Sequence, residues 1–117
     1  MVSSVNTNIS ALSALGKKMA VTSNNIANVE SEGFKKSRAV LKEGESGSVE
    51  VDITRIETPG DTRVEDADGE QVEREFSNVD LAEEITGTIP TQRGYEANLT
   101  VIKARDEILG TVLDILG

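Results

Sequence analysis

The chain contains no cysteine, no histidine and no tryptophan, and aromatic residues make up only 3% of it. These absences exclude disulfides, thiol and imidazole nucleophiles, histidine general bases, and zinc, haem or iron–sulfur sites built from cysteine and histidine. Most enzyme classes use at least one of these groups, so we expect a protein that is not an enzyme and that holds no cofactor and no metal. A chain without cysteine is compatible with the cytosol, the periplasm and the exterior alike.

Long apolar runs are also absent. No stretch of about 18 apolar residues occurs, which predicts that the chain does not insert into a membrane. Residues 1–13 are polar and lack the basic start and apolar centre of a cleaved secretory signal, so export would need another system. The net charge of −9 opposes binding to nucleic acid or anionic lipid, because phosphates would meet a field of their own sign. We therefore expect protein partners rather than nucleic acid or a small-molecule substrate.

The 117 residues suit one structural unit, which charge and periodicity divide into three segments: 1–41, 42–77 and 78–117. Residues 1–29 carry two lysines and no acid, whereas residues 30–77 carry fourteen acids and seven bases, and residues 78–117 carry seven acids and three bases. We predict a mainly α fold with a small β part. Long N- and C-terminal helices would pair as an antiparallel coiled coil, joined by a short β-hairpin and an acidic loop.

The N-terminal segment has small and apolar residues at alternating steps of four and three, which predicts a helix over residues 4–28. We call this set the N-terminal stripe; its members are Val5, Ile9, Leu12, Gly16, Met19, Ser23 and Ile26. The stripe is typical either of an amphipathic helix in a globular core or of a seam for another long helix. Gly16 and Ser23 favour the seam, because small residues allow a second backbone to approach closely.

The C-terminal segment keeps the same spacing over five heptads. We call this set the C-terminal stripe; its members are Leu81, Ile85, Thr88, Gln92, Tyr95, Leu99, Ile102, Asp106, Leu109, Leu113 and Leu116. Ser77 or Asn78 is expected to cap the helix. Pro90 removes a helix hydrogen bond, and Gly87 and Gly94 flank it, so we predict a kink or a break between these glycines.

The middle of the chain predicts one hairpin and one loop. Residues 34–41 and 49–53 are β-prone, and residues 42–48 would form the turn between them. Residues 57–75 hold eight acids, two bases and few apolar anchors, which is typical of a solvated acidic loop.

One motif in that loop resembles a calcium site. Asp66, Asp68, Gly69 and Glu75 have the spacing of positions 3, 5, 6 and 12 of an EF-hand loop. Val64 occupies the first ligand position, however, and no entering helix precedes it. A tight turn at Asp68–Gly69 explains the same residues through backbone geometry, and we favour the turn.

A small basic patch, Lys35, Lys36 and Arg38, follows the first helix. Its single neighbouring aromatic residue is too little for nucleic-acid stacking, so we expect it to contact an anion or to form salt bridges between subunits. The adjacent acids on the predicted helices point in different directions and indicate solvated faces rather than acid–base catalysis.

Two further motifs resemble a known family. Residues 23–28, Ser-Asn-Asn-Ile-Ala-Asn, followed by Gly33-Phe34-Lys35, closely resemble the N-terminal signature of bacterial flagellar axial proteins, which include rod, hook and hook-associated proteins. The C-terminal helix of the same group is resembled by residues 78–81, then by Gln92-Arg93 with Tyr95, Ala97-Asn98 and Val101, and then by residues 106–109, Asp-Glu-Ile-Leu. The resemblance covers about residues 3–41 and 77–116.

In that family the terminal helices pair as a coiled coil and pack against neighbouring subunits, forming a helical tube. The resemblance and the stripes together predict an assembly interface of fifteen residues: Ile9, Leu12, Gly16, Met19, Asn24, Asn25, Ile26, Asn28, Gln92, Tyr95, Asn98, Leu99, Ile102, Leu109 and Leu113. The three asparagines of the first motif would cap the helix and bond across a polar subunit contact. The simpler alternative is that the helix ends at Asn28 and that Gly33 permits the following turn.

The short middle segment favours a subunit of the flagellar basal-body rod, located in the periplasm-spanning rod. The resemblance implies as partners other copies of the chain, other rod and hook subunits, and the flagellar type III export apparatus, through which members pass without a cleaved signal. The alternative is a coiled-coil adaptor or export-associated protein related to the axial proteins.

Overall fold

The computed structural model describes the backbone of residues 2–117 and the side chains of residues 5–117. Two long helices and two antiparallel hairpins make up this described part. In chain order the elements are α1 (Val2–Ala27), β1 (Ser37–Glu43), a 3-10 turn (Glu45–Gly47), β2 (Val49–Arg55), β3 (Thr62–Ala67), β4 (Glu70–Glu75) and α2 (Leu81–Leu116). The molecule is elongated, measuring 82 × 24 × 18 Å. Neither described helix is both long enough and apolar enough to cross a bilayer.

The two helices pack against each other in opposite directions. Near the end of α1, the Asn25 amide nitrogen lies 3.2 Å from the Glu84 carboxylate near the start of α2. Ten residues earlier on α1, Leu15 faces Gly94, where an added Cβ would lie 3.4 Å from a leucine methyl carbon. Contacts thus move towards the start of α1 as they move along α2, which makes the pair antiparallel.

The described contacts between the helices centre on residues beside the predicted heptad seam, and the predicted coiled-coil pairing through that seam is not confirmed. On α1 the contact face includes the buried Leu15 and Asn25; on α2 it includes the buried Thr91 and the half-buried Glu84, Gly87, Gly94 and Asn98. Each of these residues stands one position before a member of a stripe. One residue is about 100° of helix rotation, so both stripes lie beside the contact face. Small side chains on α2 permit close approach, and this explains why the less apolar face is the one inside.

Helix α2 runs without interruption from Leu81 to Leu116, so the predicted break near Pro90 is wrong. Pro90 lies on the exposed side of the helix, where its missing N–H removes a single hydrogen bond. The buried Thr91 hydroxyl donates to the Gly87 carbonyl at 3.1 Å, which gives the backbone near the proline an additional bond. The cap also differs from the prediction: Asp80 caps α2, and its carboxylate accepts from the Glu83 N–H at 3.2 Å.

The predicted first hairpin is confirmed. Strands β1 and β2 pair antiparallel with Ala39 opposite Ile53 and Leu41 opposite Val51. The sheet packs on α1, where the Val49 N–H donates to the Ser10 hydroxyl at 2.9 Å and Ala39 is buried. This contact with α1 supplies the support that an isolated two-stranded hairpin lacks.

The predicted acidic loop is wrong, because residues 62–75 form a second hairpin, β3–β4. The turn predicted within it is confirmed: Asp68 and Gly69 both have positive φ, 55° and 86°. The Asp66 carboxylate accepts from the Gly69 N–H at 3.1 Å and so serves the turn. Both strands are polar on both faces, and an ion pair of 3.4 Å between Arg74 and Glu65 crosses from one strand to the other.

Candidate assembly surface

The two family-like motifs meet where α1 ends and α2 begins. We call this region the junction; it comprises residues 24–38, 56–61 and 74–84. Asn25 lies at its centre and is 1% exposed. Its amide nitrogen donates to the Ser37 carbonyl at 2.8 Å and to Glu84, and its amide oxygen accepts from the Ser37 N–H at 3.1 Å. One side chain therefore holds β1 and α2 in place on α1, and it is buried within the chain.

Asn78 joins the loops of the junction in the same manner. Its amide oxygen accepts from the Lys36 N–H at 2.7 Å, and its amide nitrogen donates to the carbonyls of Ile56 and Thr58 at 2.8 and 2.9 Å. Its backbone N–H donates to the Phe34 carbonyl at 3.3 Å. The segments before β1, after β2 and before α2 are thereby fixed to one another.

A charged hydrogen-bond cluster completes the junction. The Lys35 ammonium and the Gly60 N–H both donate to the same Glu75 carboxylate oxygen, the latter at 2.9 Å. The lysine hydrogen bond, with help from the Gly60 bond, lowers the pKa of Glu75 below its ordinary value. A side chain at position 60 would collide with the Phe76 carbonyl oxygen, which would lie 2.1 Å from its Cβ, so only glycine fits there.

The basic patch is paired inside the chain, and the predicted contact with an anion or with another subunit stays a prediction. Lys35 binds Glu75, and both Lys36 and Arg38 contact Glu83, at 3.8 and 3.3 Å. Antiparallel packing of the helices brings the first turn of α2 beside the segment that follows α1, and this explains the contacts of Lys36 and Arg38 with Glu83.

The remaining asparagines of the N-terminal motif close the end of α1. The Asn28 amide nitrogen donates to the Asn24 carbonyl at 2.9 Å, and the Ser31 hydroxyl donates to the Asn28 amide oxygen at 2.9 Å. Asn24 is exposed and Asn28 is half-buried. Gly33 follows with φ of 68°, a backbone conformation that glycine adopts without strain.

The other predicted interface residues lie along the helices and differ in exposure. The exposed ones are Ile9, Gly16, Gln92, Tyr95, Leu99, Leu109 and Leu113. The half-buried ones are Leu12, Met19, Ile26, Asn98 and Ile102. Ile9 is 53% exposed, Leu99 46% and Leu113 68%, which is unusual for large apolar side chains in a folded chain. Around Gly16 there is open space, since an added Cβ would meet no described atom within 4 Å.

The end of α2 extends past the described start of α1. Because Asn25 stands beside Glu84 and Leu15 beside Gly94, residue 2 lies close to the level of residue 107. Residues 108–116, which we call the overhang, are all exposed; the large apolar ones are Ile108, Leu109, Val112, Leu113, Ile115 and Leu116. The predicted C-terminal stripe contains Leu109, Leu113 and Leu116 but not Ile108, Val112 and Ile115. Helical periodicity alone could not find them, because they surround the helix rather than follow one stripe.

The chemistry available to this surface is helix packing. Among residues 2–117, no three acidic side chains are grouped in a way that could hold a metal ion. Exposed leucine, isoleucine, valine and tyrosine side chains bury their apolar area only against another protein surface of similar kind.

Comparisons with known proteins agree with the two motifs. Residues 6–35 match the family described as flagella basal body rod protein, and residues 74–115 match the family described as flagellar basal body rod FlgEFG protein C-terminal. The chain is also 44% identical over 41 residues to the flagellar hook protein FlgE of Escherichia coli K12 and to that of Salmonella typhimurium LT2. Each match covers 35% of this chain and 10% of the relative, so the similar part is about a tenth of each hook protein's length.

Proposed function

The chain belongs to the flagellar rod and hook axial family, a structural component of the flagellum, and from this we propose that it is a subunit of the basal-body rod that self-assembles through its terminal helices. The observation that carries the proposal is the exposure, along the helix pair, of most of the C-terminal stripe and of Ile9, Gly16 and Ser23 on the N-terminal stripe. Such stripes would be covered when copies pack into a helical axial tube.

The arrangement of the stripes supports packing between copies. Each stripe is rotated from its contact face by one residue in the same sense, as Gly16 follows Leu15 and Tyr95 follows Gly94. In an antiparallel pair, faces rotated in the same sense lie on the same side of the pair. We therefore place both stripes on one side, where they form a broad face. The polar members, Thr88, Gln92 and Asp106, would set register against a neighbour, as polar residues do in coiled-coil seams.

The middle segment supports a rod subunit rather than a hook subunit. Between the helices the chain has two short hairpins, β1–β2 and β3–β4. The hook proteins to which it is similar are about ten times longer than the matched region. A subunit with so little chain between its helices is suited to a narrow axial structure, and we assign it to the rod.

The family also motivates two further expectations. We propose that the partners are other copies of this chain and other rod and hook subunits, and that the chain reaches the basal body through the flagellar type III export apparatus without cleavage of a signal. The helices would gain order when neighbours cover the stripes, since burial of apolar area offsets the conformational entropy of ordering.

Labelling of purified hook-basal bodies tests the rod assignment. An antibody against the β3–β4 hairpin should decorate the rod of a flagellated strain that makes the protein. Decoration of the hook alone would contradict the rod assignment. Recovery only with the export apparatus would favour the coiled-coil adaptor instead.

Leu99→Asp tests the assembly surface. The substitution should prevent incorporation and motility, because it would bury an unpaired carboxylate between copies, while the monomer should stay folded since Leu99 is exposed. Thr100→Asp is the matched control, because Thr100 is the next residue, is exposed and lies off the stripe. Normal incorporation of Leu99→Asp would refute the stripe as an interface.

A further inference from the structure

The outer edge of β1 opens into a groove between α1 and α2, and we propose that this groove binds an extended, acidic peptide segment of a partner protein. The segment would join the β1–β2 sheet as a third strand. The groove encloses about 370 Å³. The inference is independent of the rod assignment, because it concerns a strand edge and not the stripes of the helices.

The hydrogen-bond pattern of the first hairpin shows which backbone groups face this edge. The Ile56 N–H donates to the Lys36 carbonyl at 2.9 Å, and the Gly44 N–H donates to the Ser48 carbonyl at 2.8 Å. Both pairs follow the β1–β2 register, so the even-numbered residues of β1 bond to β2. The odd-numbered residues therefore direct their N–H and carbonyl groups away from β2, towards the groove.

The first of these odd-numbered residues, Ser37, already has a partner at the edge. The Asn25 amide donates to the Ser37 carbonyl at 2.8 Å and accepts from the Ser37 N–H at 3.1 Å. This pair of bonds is the one that a residue of a neighbouring strand would make, so Asn25 marks one end of the place for such a strand. No described residue bonds to the outward groups of Ala39 and Leu41. An unpaired edge of this kind is a template for pairing with another chain.

The path of α1 explains why the groove exists. Asn25, near the end of α1, reaches the outer edge of β1, whereas Ser10, earlier in α1, accepts from the Val49 N–H on the opposite edge of the hairpin. The helix therefore crosses the hairpin obliquely, and the edge of β1 diverges from α1. The space that opens is bounded by Val21 of α1 and by Gly87 of α2, where an added Cβ would meet no described atom within 4 Å.

The backbone groups at the edge define the kind of ligand. Donors and acceptors of a strand edge are matched by the backbone of another strand, so the ligand that fits is an extended peptide. Pairing with both Ala39 and Leu41 needs three residues, which span roughly 10 Å at about 3.4 Å per residue. The first and third would turn their side chains to the face of the sheet that carries the buried Ala39, and the middle one would turn its side chain to the other face.

The charges that line the groove favour an acidic segment. These side chains are Lys18, Lys36, Arg38, Glu83 and Glu84. Glu83 contacts both Lys36 and Arg38, and Glu84 accepts from the Asn25 amide. The half-buried Lys18 has no ion-pair partner among residues 5–117. Three cations against two acids leave one positive charge, and a carboxylate on the segment would pair with Lys18.

Selection from displayed peptides tests the proposal. Random heptapeptides displayed on phage would be selected on the purified full-length chain, and the most enriched peptide would be synthesised with a fluorescent label. We expect it to contain aspartate or glutamate and to bind with a dissociation constant below about 100 μM, measured by fluorescence anisotropy. Enrichment of basic or uncharged peptides alone, or no enrichment, would overturn the inference.

Methylation of the peptide's backbone nitrogens distinguishes strand pairing from other modes of binding. On the residues that bond to β1, an N-methyl group removes a donor and blocks close approach, so binding should weaken at least about tenfold. On the alternate residues, whose N–H groups point away from β1, the same change should alter binding by less than about threefold. Equal effects at both sets of positions would contradict pairing with β1.

Two pairs of protein variants locate the site. Lys18→Glu should weaken binding at least about tenfold, whereas Lys17→Glu, at the preceding exposed residue outside the groove, should change it by less than about twofold. If Lys18→Glu does not fold, Gly87→Leu serves instead, since it fills the groove and should also weaken binding at least about tenfold. Its control is Thr86→Leu, an exposed neighbour that does not line the groove. Equal effects within either pair would overturn the inference.

Sedimentation of the natural chain with and without the peptide tests whether a second copy fills the groove instead. Binding of the peptide without a change in the oligomeric state supports a separate partner. If the peptide dissociates oligomers and Lys18→Glu prevents them from forming, the ligand is a second copy and the inference is overturned. Failure of the peptide to bind would leave the rod assignment standing, because labelling of hook-basal bodies tests that assignment separately.

Discussion

Replacement of Asn25 by alanine should unfold the junction more readily than any other single change of an asparagine in α1. The amide of Asn25 makes both backbone hydrogen bonds to Ser37 and a third to Glu84, and the residue is 1% exposed. Asn25→Ala would leave the Ser37 N–H and carbonyl without these partners. The Glu84 carboxylate would turn to solvent, because that residue is only half-buried.

The magnitude follows from the groups left unpaired. A buried backbone group without a partner costs about 1 to 3 kcal/mol. Ser37 is half-buried, so water would reach it in part and the low end applies to each of its two groups. We expect Asn25→Ala to lower the free energy of unfolding by about 2 to 3 kcal/mol in total. For a chain of this size the midpoint of thermal unfolding should fall by about 8 to 12 °C.

Urea unfolding followed by far-ultraviolet circular dichroism measures this difference, and Asn24→Ala is the matched control. Asn24 is the preceding residue of the same helix, so the two variants share the effect of alanine on helix propensity. The Asn24 side chain is exposed and accepts one long hydrogen bond, 3.3 Å, from Asn28. The control should change the free energy of unfolding by less than about 0.5 kcal/mol. A difference between the two variants below about 0.5 kcal/mol would refute the role assigned to Asn25.

Three further substitutions test other parts of the fold. Pro90→Ala should raise the free energy of unfolding by about 1 to 3 kcal/mol, because the uninterrupted helix regains an N–H donor. A free energy of unfolding below that of the natural chain, measured in urea, would mean that the proline stabilises the fold. Gly94→Leu should lower the free energy of unfolding by about 1 to 3 kcal/mol, because the larger side chain overpacks against α1. Gly110→Leu is the control, since position 110 lies in open space and the free energy of unfolding should not fall. Equal free energies for the two variants would disprove close packing at position 94. Because Lys35 lowers the pKa of Glu75 in the folded state, the Glu75 carboxylate stabilises the fold above its ordinary pKa of 4.5, and this contribution is lost as pH falls through the lowered value. The difference in free energy of unfolding between the natural chain and Glu75→Gln should therefore shrink below pH 4.5. A difference that stays constant with pH would contradict the assignment.

The sequence predicts the elements of this fold better than their contacts. Val49, Val51 and Ile53 alternate with acids, so β2 and its hairpin follow from periodicity. Strands β3 and β4 were missed because polar residues lie on both of their faces, and only the turn at Asp68–Gly69 marks them. Hydrophobic periodicity detects a strand when one face is buried, and neither face of this hairpin is.

The contact face predicted for the helices differs from the observed one by one sequence position, for a related reason. The small, polar contact face and the apolar stripe have the same helical period, and a ranking by hydrophobicity selects the stripe. The single chain instead packs the face that carries the buried Thr91 and the half-buried Gly87 and Gly94, and most of the C-terminal stripe stays exposed. Asn25 shows the same limit: the sequence marks it as a residue with a specific role, yet an amide pattern does not tell whether the partner lies in the same chain or in another.

The backbone bond at the base of the β3–β4 hairpin bears on how this chain tolerates change. The Phe76 N–H donates to the Asp61 carbonyl at 2.8 Å, so the hairpin leaves the junction and returns to it at one point. The cost of closing a loop whose ends are already held together grows by only about 0.6 kcal/mol for each doubling of its length. Residues 64–73, which are all exposed except the half-buried Ala67, are therefore an exchangeable insert. Longer or shorter segments could replace them without altering the hydrogen bonds of Asn25 and Asn78, and a reporter domain could be grafted there while the helical ends stay intact.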